Sequence, residues 1–403
     1  MGFLFTPSKK EKMVAVFDIG SGSVGGALVR VPLSGSGIPT ILKFVRTEIK
    51  FHKDKEFNSD FNLFLEDMLY TLNITANSLY NKKGGIPDEI VCVFASPWYL
   101  SETRTVKIAQ EKSFTFTGRL ASELIEKEIL SLTQLYKNKY GALDSIPEMI
   151  EQHTMAVSLN GYAVNNPLDK KCKFLEMNMI ISLAPKLCLD KIRETLSRTF
   201  HHININFSSF TVDTYLAVRN KYIVLDSYLL LDIRGEITDV GIVTKGVLKS
   251  VLSFPFGKQT FFKYMCTKLE LELRDAQELF KLYNDNNLSA PFDEKIAPLF
   301  KSIENSWGEA FRQCISILPR TLVLPGTIFL TADNDIKNWF ANVLKSEENI
   351  QSMISDHKCD VIILDGPEFL HMCNVDEGAC DPFLMIESIA IGRKMACLRR
   401  QDK

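Results

Sequence analysis

Two short stretches, one in each half of the chain, spell the same structural unit. Ala15-Val16-Phe17-Asp18-Ile19-Gly20-Ser21-Gly22 can be laid over Leu229-Leu230-Leu231-Asp232-Ile233-Arg234-Gly235-Glu236, and Ala27-Leu28-Val29 then falls on Gly241-Ile242-Val243. Each copy is an apolar run that ends in Asp-Ile, turns sharply and returns apolar, which is the pattern of a buried strand–turn–strand. A repeat at such long range implies duplicated structural units. With 403 residues, the chain is long enough for two lobes, each with its own core.

The turn chemistry points to an anion. Gly20, Ser21, Gly22 and Ser23 let successive backbone N–H groups converge on one spot, and the two hydroxyls add hydrogen bonds. A carboxylate at a strand end repels phosphate but holds Mg²⁺, which bridges to phosphate. Two facing turns would clamp a triphosphate between Asp18 and Asp232.

Between the copies the texture changes. Phe61, Phe64, Leu65, Met68, Leu72, Ala76 and Leu79 recur at helical spacing, and Ile90 to Ala95 is a short covered strand. After Ser96-Pro97 comes a strand–helix–strand–strand unit: Arg104 to Ala109, Thr117 to Tyr136, Thr154 to Leu159 with an Asn160-Gly161 turn, then Phe174 to Leu183. The division expected is a first lobe over 1–96 and 173–225, an inserted subdomain over 97–172, and a second lobe over 226–403. The longest helix is expected from Ile296 to Leu318, and Asp333-Asn334-Asp335 is placed to cap a helix through Ile336, Trp339, Phe340 and Val343. The fold class is α/β.

With these residues in view, the sequence resembles the actin/chaperone/sugar-kinase superfamily, and within it FtsA and PilM. Asp18 to Ser23 looks like the first phosphate motif and Asp232 to Asp239 like the second, with Arg234, Gly235 and Thr238 at the loop. The inserted unit resembles the small subdomain of FtsA and PilM, and Asn160-Gly161-Tyr162 with Asn166-Pro167 resembles its end in FtsA. The resemblance implies an actin-like (ribonuclease H-like) fold of duplicated lobes around a nucleotide cleft. It implies ATP and Mg²⁺ as cofactors, with the metal at Asp18 and Asp232. It puts Glu278 and Lys281 on a helix lining the nucleoside pocket, and Thr331, Ala332 and Asp333 at the adenosine loop. Asp213 is the candidate for positioning an attacking water. The departures are Gly25 where those families usually carry Lys, Arg234 and Glu236 for loop glycines, Ile237 for a hydroxyl residue, and Ala332-Asp333 for Gly-Gly. They imply at most slow hydrolysis, with Arg234 as an alternative phosphate ligand.

The net charge of −2 gives no basic field for nucleic acid. The nine cysteines include no CxxC pair and read as reduced, mostly buried thiols. No apolar run approaches the ~18 residues of a membrane span. The function expected from the resemblance is a cytoplasmic, nucleotide-gated scaffold at the inner face of the membrane that self-polymerises or recruits division or type IV pilus proteins. The chain stops soon after Arg399-Arg400 without the linker and amphipathic helix usual in FtsA, so the membrane link is expected through a partner. Two other readings stay open: a non-hydrolysing interaction module, and a small-molecule kinase of the same superfamily.

Overall fold

A computed structural model describes residues 10–33, 37–57, 59–80, 86–140, 146–201, 203–285, 287–318, 324–346, 359–376, 378 and 381–401. The chain begins with the hairpin β1 (Glu11–Ile19) and β2 (Ser23–Pro32), then β3 (Thr40–Glu48), helix α1 (Phe61–Leu79) and β4 (Glu89–Phe94). Next come β5 (Leu100–Phe116), α2 (Gly118–Tyr140), β6 (Pro147–Leu159), β7 (Tyr162–Ala163) and β8 (Lys170–Pro185). Then α3 (Lys186–Phe200), β9 (Ile205–Ser209) and α4 (Phe210–Lys221) complete the first half. The second half runs β10 (Tyr228–Ile233), β11 (Thr238–Thr244), β12 (Val247–Phe254), α5 (Lys258–Leu269), α6 (Leu273–Asn284), α7 (Ala290–Ile315), β13 (Thr327–Ala332), α8 (Lys337–Ser346) and β14 (Asp360–Ile363). It ends with α9 (Gly366–Phe369), β15 (Asn374–Val375) and α10 (Pro382–Gln401).

Three sheets result. The first has the order β15-β3-β2-β1-β4-β9, the second β12-β11-β10-β13-β14, and the third β5-β8-β6-β7. The first two repeat one plan: an antiparallel meander, then parallel strands added on the far side of its first strand. The duplication extends to register, with Asp18 opposite Gly25 and Asp232 opposite Asp239. Each turn is closed by the same bond, Gly20 N to Ser23 O at 3.1 Å and Arg234 N to Ile237 O at 3.0 Å.

The alternation of a strand decides where the two aspartates point. Ala15, Phe17 and Ile19 pack outward on α1 and α3, so Val14, Val16 and Asp18 face inward. Leu229, Leu231 and Ile233 pack outward on the α5–α8 side, so Tyr228, Leu230 and Asp232 face inward. Between these inner faces lie α4 and α10, which share one core with both sheets through Phe210, Val212, Leu384 and Ile386.

Two expected boundaries move. β8 pairs with β5 and β6 as far as Pro185, so the inserted sheet passes through residue 172 instead of ending there. The second lobe does not extend to residue 403 either: β15 joins β3 in the first sheet, and α10 packs against α4 and the β1–β2 hairpin. Both shifts have one cause. Strand pairing over long sequence distances sets where a lobe closes, and local composition does not report it. Asp213 follows β9 in the first turn of α4. Cys92, Cys172, Cys188 and Cys266 are buried, as expected of structural thiols. Among the described residues, no helix is long and apolar enough to cross a membrane.

Candidate functional site

The two hairpin turns meet. A Cβ added at Gly235 would lie 2.5 Å from Gly22 N, 2.7 Å from Gly22 Cα and 2.9 Å from the carbonyl carbon of Ser21, so the loops touch backbone to backbone. Only glycine permits that approach at residue 235. Glu236 N donates to Ser21 Oγ at 2.9 Å, which ties the loops together with the hydroxyl expected to serve an anion. The amides at the start of α5 are also spent internally: Lys258 N donates to Arg234 O at 2.7 Å and Gln259 N to Gly235 O at 2.6 Å. In the first loop, Ile49 N donates to Gly22 O at 2.9 Å and Trp98 Nε1 to Gly20 O at 2.8 Å.

Below the loops, the aspartates face each other across a guanidinium. Arg234 donates from Nη1 to Asp18 Oδ2 at 2.9 Å and from Nε to Asp232 Oδ2 at 2.8 Å. Asp18 has a second cation, Arg46, whose Nη2 donates to the same oxygen at 2.7 Å. Arg46 is itself aimed by Asp381 at 2.6 Å and Ser23 Oγ at 2.8 Å. It lies over Gly25, where an added Cβ would sit 2.7 Å from Arg46 Nη2. The missing side chain at residue 25 is therefore what lets Arg46 reach Asp18.

The electrostatics follow from the count of cations around each acid. Burial alone would raise the Asp18 carboxyl, but Arg234 and then Arg46 outweigh it and hold it below its ordinary value. Asp232 has one guanidinium and a second carboxylate, Asp239, close by. There burial prevails and pushes the group up to about 7. Asp239 is pushed to about 6, again by burial, although Ser96 N donates to it at 3.3 Å. Glu387 of α10 is fully buried, and burial, then the nearby Asp18 charge, raise its carboxyl well above its ordinary value.

This geometry does not fit a Mg²⁺–triphosphate between the turns. The loops leave no gap between Gly22 and Gly235, and the two carboxylates already share a cation. Among the described residues, no group of three or more His, Cys, Asp or Glu side chains is disposed to hold a metal. Glu236, whose charge would oppose a phosphate, is paired with Lys263 at 2.8 Å.

Beside the joined loops a pocket of about 910 Å³ stays open. Gly22, Glu278, Lys281 and Asp333 line it, so four expected site residues converge there. Phe262 and Phe280 form apolar wall, and Lys258 reaches across to Asp333 at 2.9 Å and Asp335 at 3.0 Å. The other expected residues lie elsewhere. Asp18, Gly20, Ser21, Ser23, Asp232, Arg234 and Gly235 make the joint. Thr238 is buried next to the second turn, donating to Phe256 O at 2.6 Å. Thr331 and Ala332 are buried within β13. Asp213 does not line the pocket; Lys394 of α10 donates to it at 2.6 Å and Ser208 Oγ at 3.2 Å.

Arg46, Phe210, Phe383, Glu387 and Lys394 were not among the residues expected at the site. No motif marks them, and they arrive from β3, α4 and α10. The one sequence sign was indirect: a glycine at residue 25, which leaves room for a cation from elsewhere.

No family model matches the sequence, and no curated protein matches it. Among solved structures the chain is similar to PilM of the PilM–PilN type IV pilus biogenesis complex, with a TM-score of 0.60 and 11% identity over 97% of this chain and 99% of that one. Weaker likeness is found to the ethanolamine utilization protein EutJ from Carboxydothermus hydrogenoformans, with a TM-score of 0.42 and 9% identity over 95% of this chain and 89% of that one. Two lobes repeated to the hydrogen bond, an inserted α+β sheet and a match along the whole of both chains agree: this is a protein of the actin-like fold, laid out as PilM is.

Proposed function

We propose that the protein is an actin-like scaffold that recruits membrane machinery of the type IV pilus kind, working on the cytoplasmic side through partner proteins. The observation that carries the non-enzymatic part is the backbone contact of Gly22 with Gly235. A phosphoryl group in transfer has no place between carboxylates whose loops touch, which weighs against the kinase reading. The likeness to PilM along the whole of both chains supports the pilus pathway over division.

A nucleotide has its place in the wide pocket, docking by base and ribose against Phe262 and Phe280 without Mg²⁺ at the aspartates. Bound there, it would bias the lobe geometry that partners read. Asp213 lies apart from that pocket, which supports the view that the chain does not turn ATP over.

Deleting the gene in its own host and imaging the cells by electron microscopy tests the reading. Loss of surface pili with normal septa is expected. Undivided filaments would move the protein to the division machinery, and piliated, normally dividing cells would refute both scaffold assignments.

A further inference from the structure

Arg234 does more than fill space. It leaves the turn of the second lobe and enters a socket built by the first. Asp18 accepts its Nη1, and the rings of Phe210 and Phe383 lie against it, 4.2 and 3.8 Å from Cζ to ring centroid. The two rings are 5.6 Å apart and come from the starts of α4 and α10. The side chain is only 5% exposed. It bonds at the same time to Asp232 of its own hairpin. One cation thus joins a carboxylate of each lobe, inside a water-poor aromatic corner.

We propose that Arg234 is a built-in replacement for a divalent cation, holding the two lobes together with no metal between Asp18 and Asp232. Three observations carry the idea. A guanidinium is weakly hydrated and packs on aromatic rings, whereas Mg²⁺ keeps its waters and demands oxygen ligands. The corner formed by Phe210 and Phe383 suits the first and not the second. Next, Asp232 Oδ1 is buried without a hydrogen-bond partner, and the guanidinium uses only Oδ2 of Asp18, whose other neighbour is the buried Glu387 carboxyl. Finally, the two turns are bonded to each other directly, Glu236 N to Ser21 Oγ, and Arg46 is bonded to Asp18 beside the guanidinium. Removing the Arg234 side chain would leave two facing carboxylates without the cation they share. That is a latent divalent site.

The inference goes beyond the scaffold reading and does not depend on it, because pilus phenotype and metal occupancy are separate readouts. It is tested on the full chain with Mn²⁺ alone, its free signal followed by electron paramagnetic resonance. The wild type should leave Mn²⁺ free at millimolar concentration. Arg234→Gly should bind about one Mn²⁺ per chain, at least tenfold more tightly than the wild type. Its unfolding midpoint should rise with Mn²⁺ while that of the wild type stays constant. Adding Asp18→Asn should abolish the binding. A wild type that binds Mn²⁺ as tightly as Arg234→Gly overturns the proposal, and so does a folded Arg234→Gly that binds none. If Arg234→Gly does not fold in metal-free buffer, refolding in Mn²⁺ decides: recovery of native tryptophan fluorescence supports the replacement, and failure to recover overturns it.

Discussion

Gly22 and Gly235, from hairpins in opposite halves of the chain, meet with no side chain between them. A Cβ at residue 235 would come within 2.5 Å of Gly22 N, backbone that has no freedom to swing aside. Gly235→Ala should therefore part the loops or strain them, lowering stability by about 1–3 kcal/mol. Chemical denaturation measures it. Gly118→Ala is the control, since a Cβ there meets nothing within 4 Å, and it should change stability by less than about 0.5 kcal/mol. Equal effects of the two substitutions would remove the contact from the account.

A second prediction concerns Lys394. It donates to Asp213 at 2.6 Å and lies 3.8 Å from Glu151, which also accepts from Ser182 at 3.1 Å and from Ser209 N at 3.0 Å. These groups tie the inserted sheet, α4 and α10 into one buried network. Lys394→Met strands the buried Asp213 carboxylate, while Glu151 keeps His153 at 3.1 Å, and should destabilise the protein by about 3 kcal/mol at neutral pH. Asp213→Asn leaves no stranded anion of its own and should be milder. ATP turnover in the presence of Mg²⁺ should be at background in the wild type and unchanged by Asp213→Asn. A measured drop in turnover on that substitution would restore Asp213 as a catalytic group.

The pH dependence of the joint has a definite sign. Burial raises Asp232 from its ordinary 3.8 to about 7, so the native protein binds this proton more tightly than the unfolded chain does. Its contribution to stability is then fully present below pH ~4 and is lost as pH rises through about 7. Asp232→Asn removes that titration. The melting temperature of the wild type minus that of Asp232→Asn should fall steadily between pH 4 and pH 8. A difference that grows over this range would reverse the assignment and make Asp232 an ordinary salt-bridged acid.

Trp98 offers a local probe of the first turn. Its indole Nε1–H donates to Gly20 O at 2.8 Å, and the ring is 1% exposed. Trp98→Phe keeps most of the buried ring and loses the donor. It should lower stability by about 1 kcal/mol, the size of a buried hydrogen bond lost. Trp98→Ala adds a cavity and should exceed about 3 kcal/mol. Calorimetry on the two variants separates the bond from the packing.

Much of the layout is legible in the sequence. The Asp-Ile repeat at Asp18 and Asp232 predicted two matched hairpins because a strand, its turn and its return are local, and local patterns survive in one dimension. The helical spacing from Phe61 to Leu79 and the alternation after Arg104 were legible for the same reason. Asp333, Glu278 and Lys281 were grouped by resemblance, and they do line one pocket.

The chemistry at the centre belonged to tertiary structure alone. Arg234 stood in the sequence as a replaced glycine beside a phosphate loop, with its charge free to serve a ligand. Only the crossing of two sheets over α4 and α10 brings Asp18, Phe210 and Phe383 around it and commits that charge to the protein itself. The return of β15 and α10 to the first lobe was hidden in the same way. A contact between residues hundreds of positions apart leaves no period in the sequence, because its energy depends on where the rest of the chain has already packed.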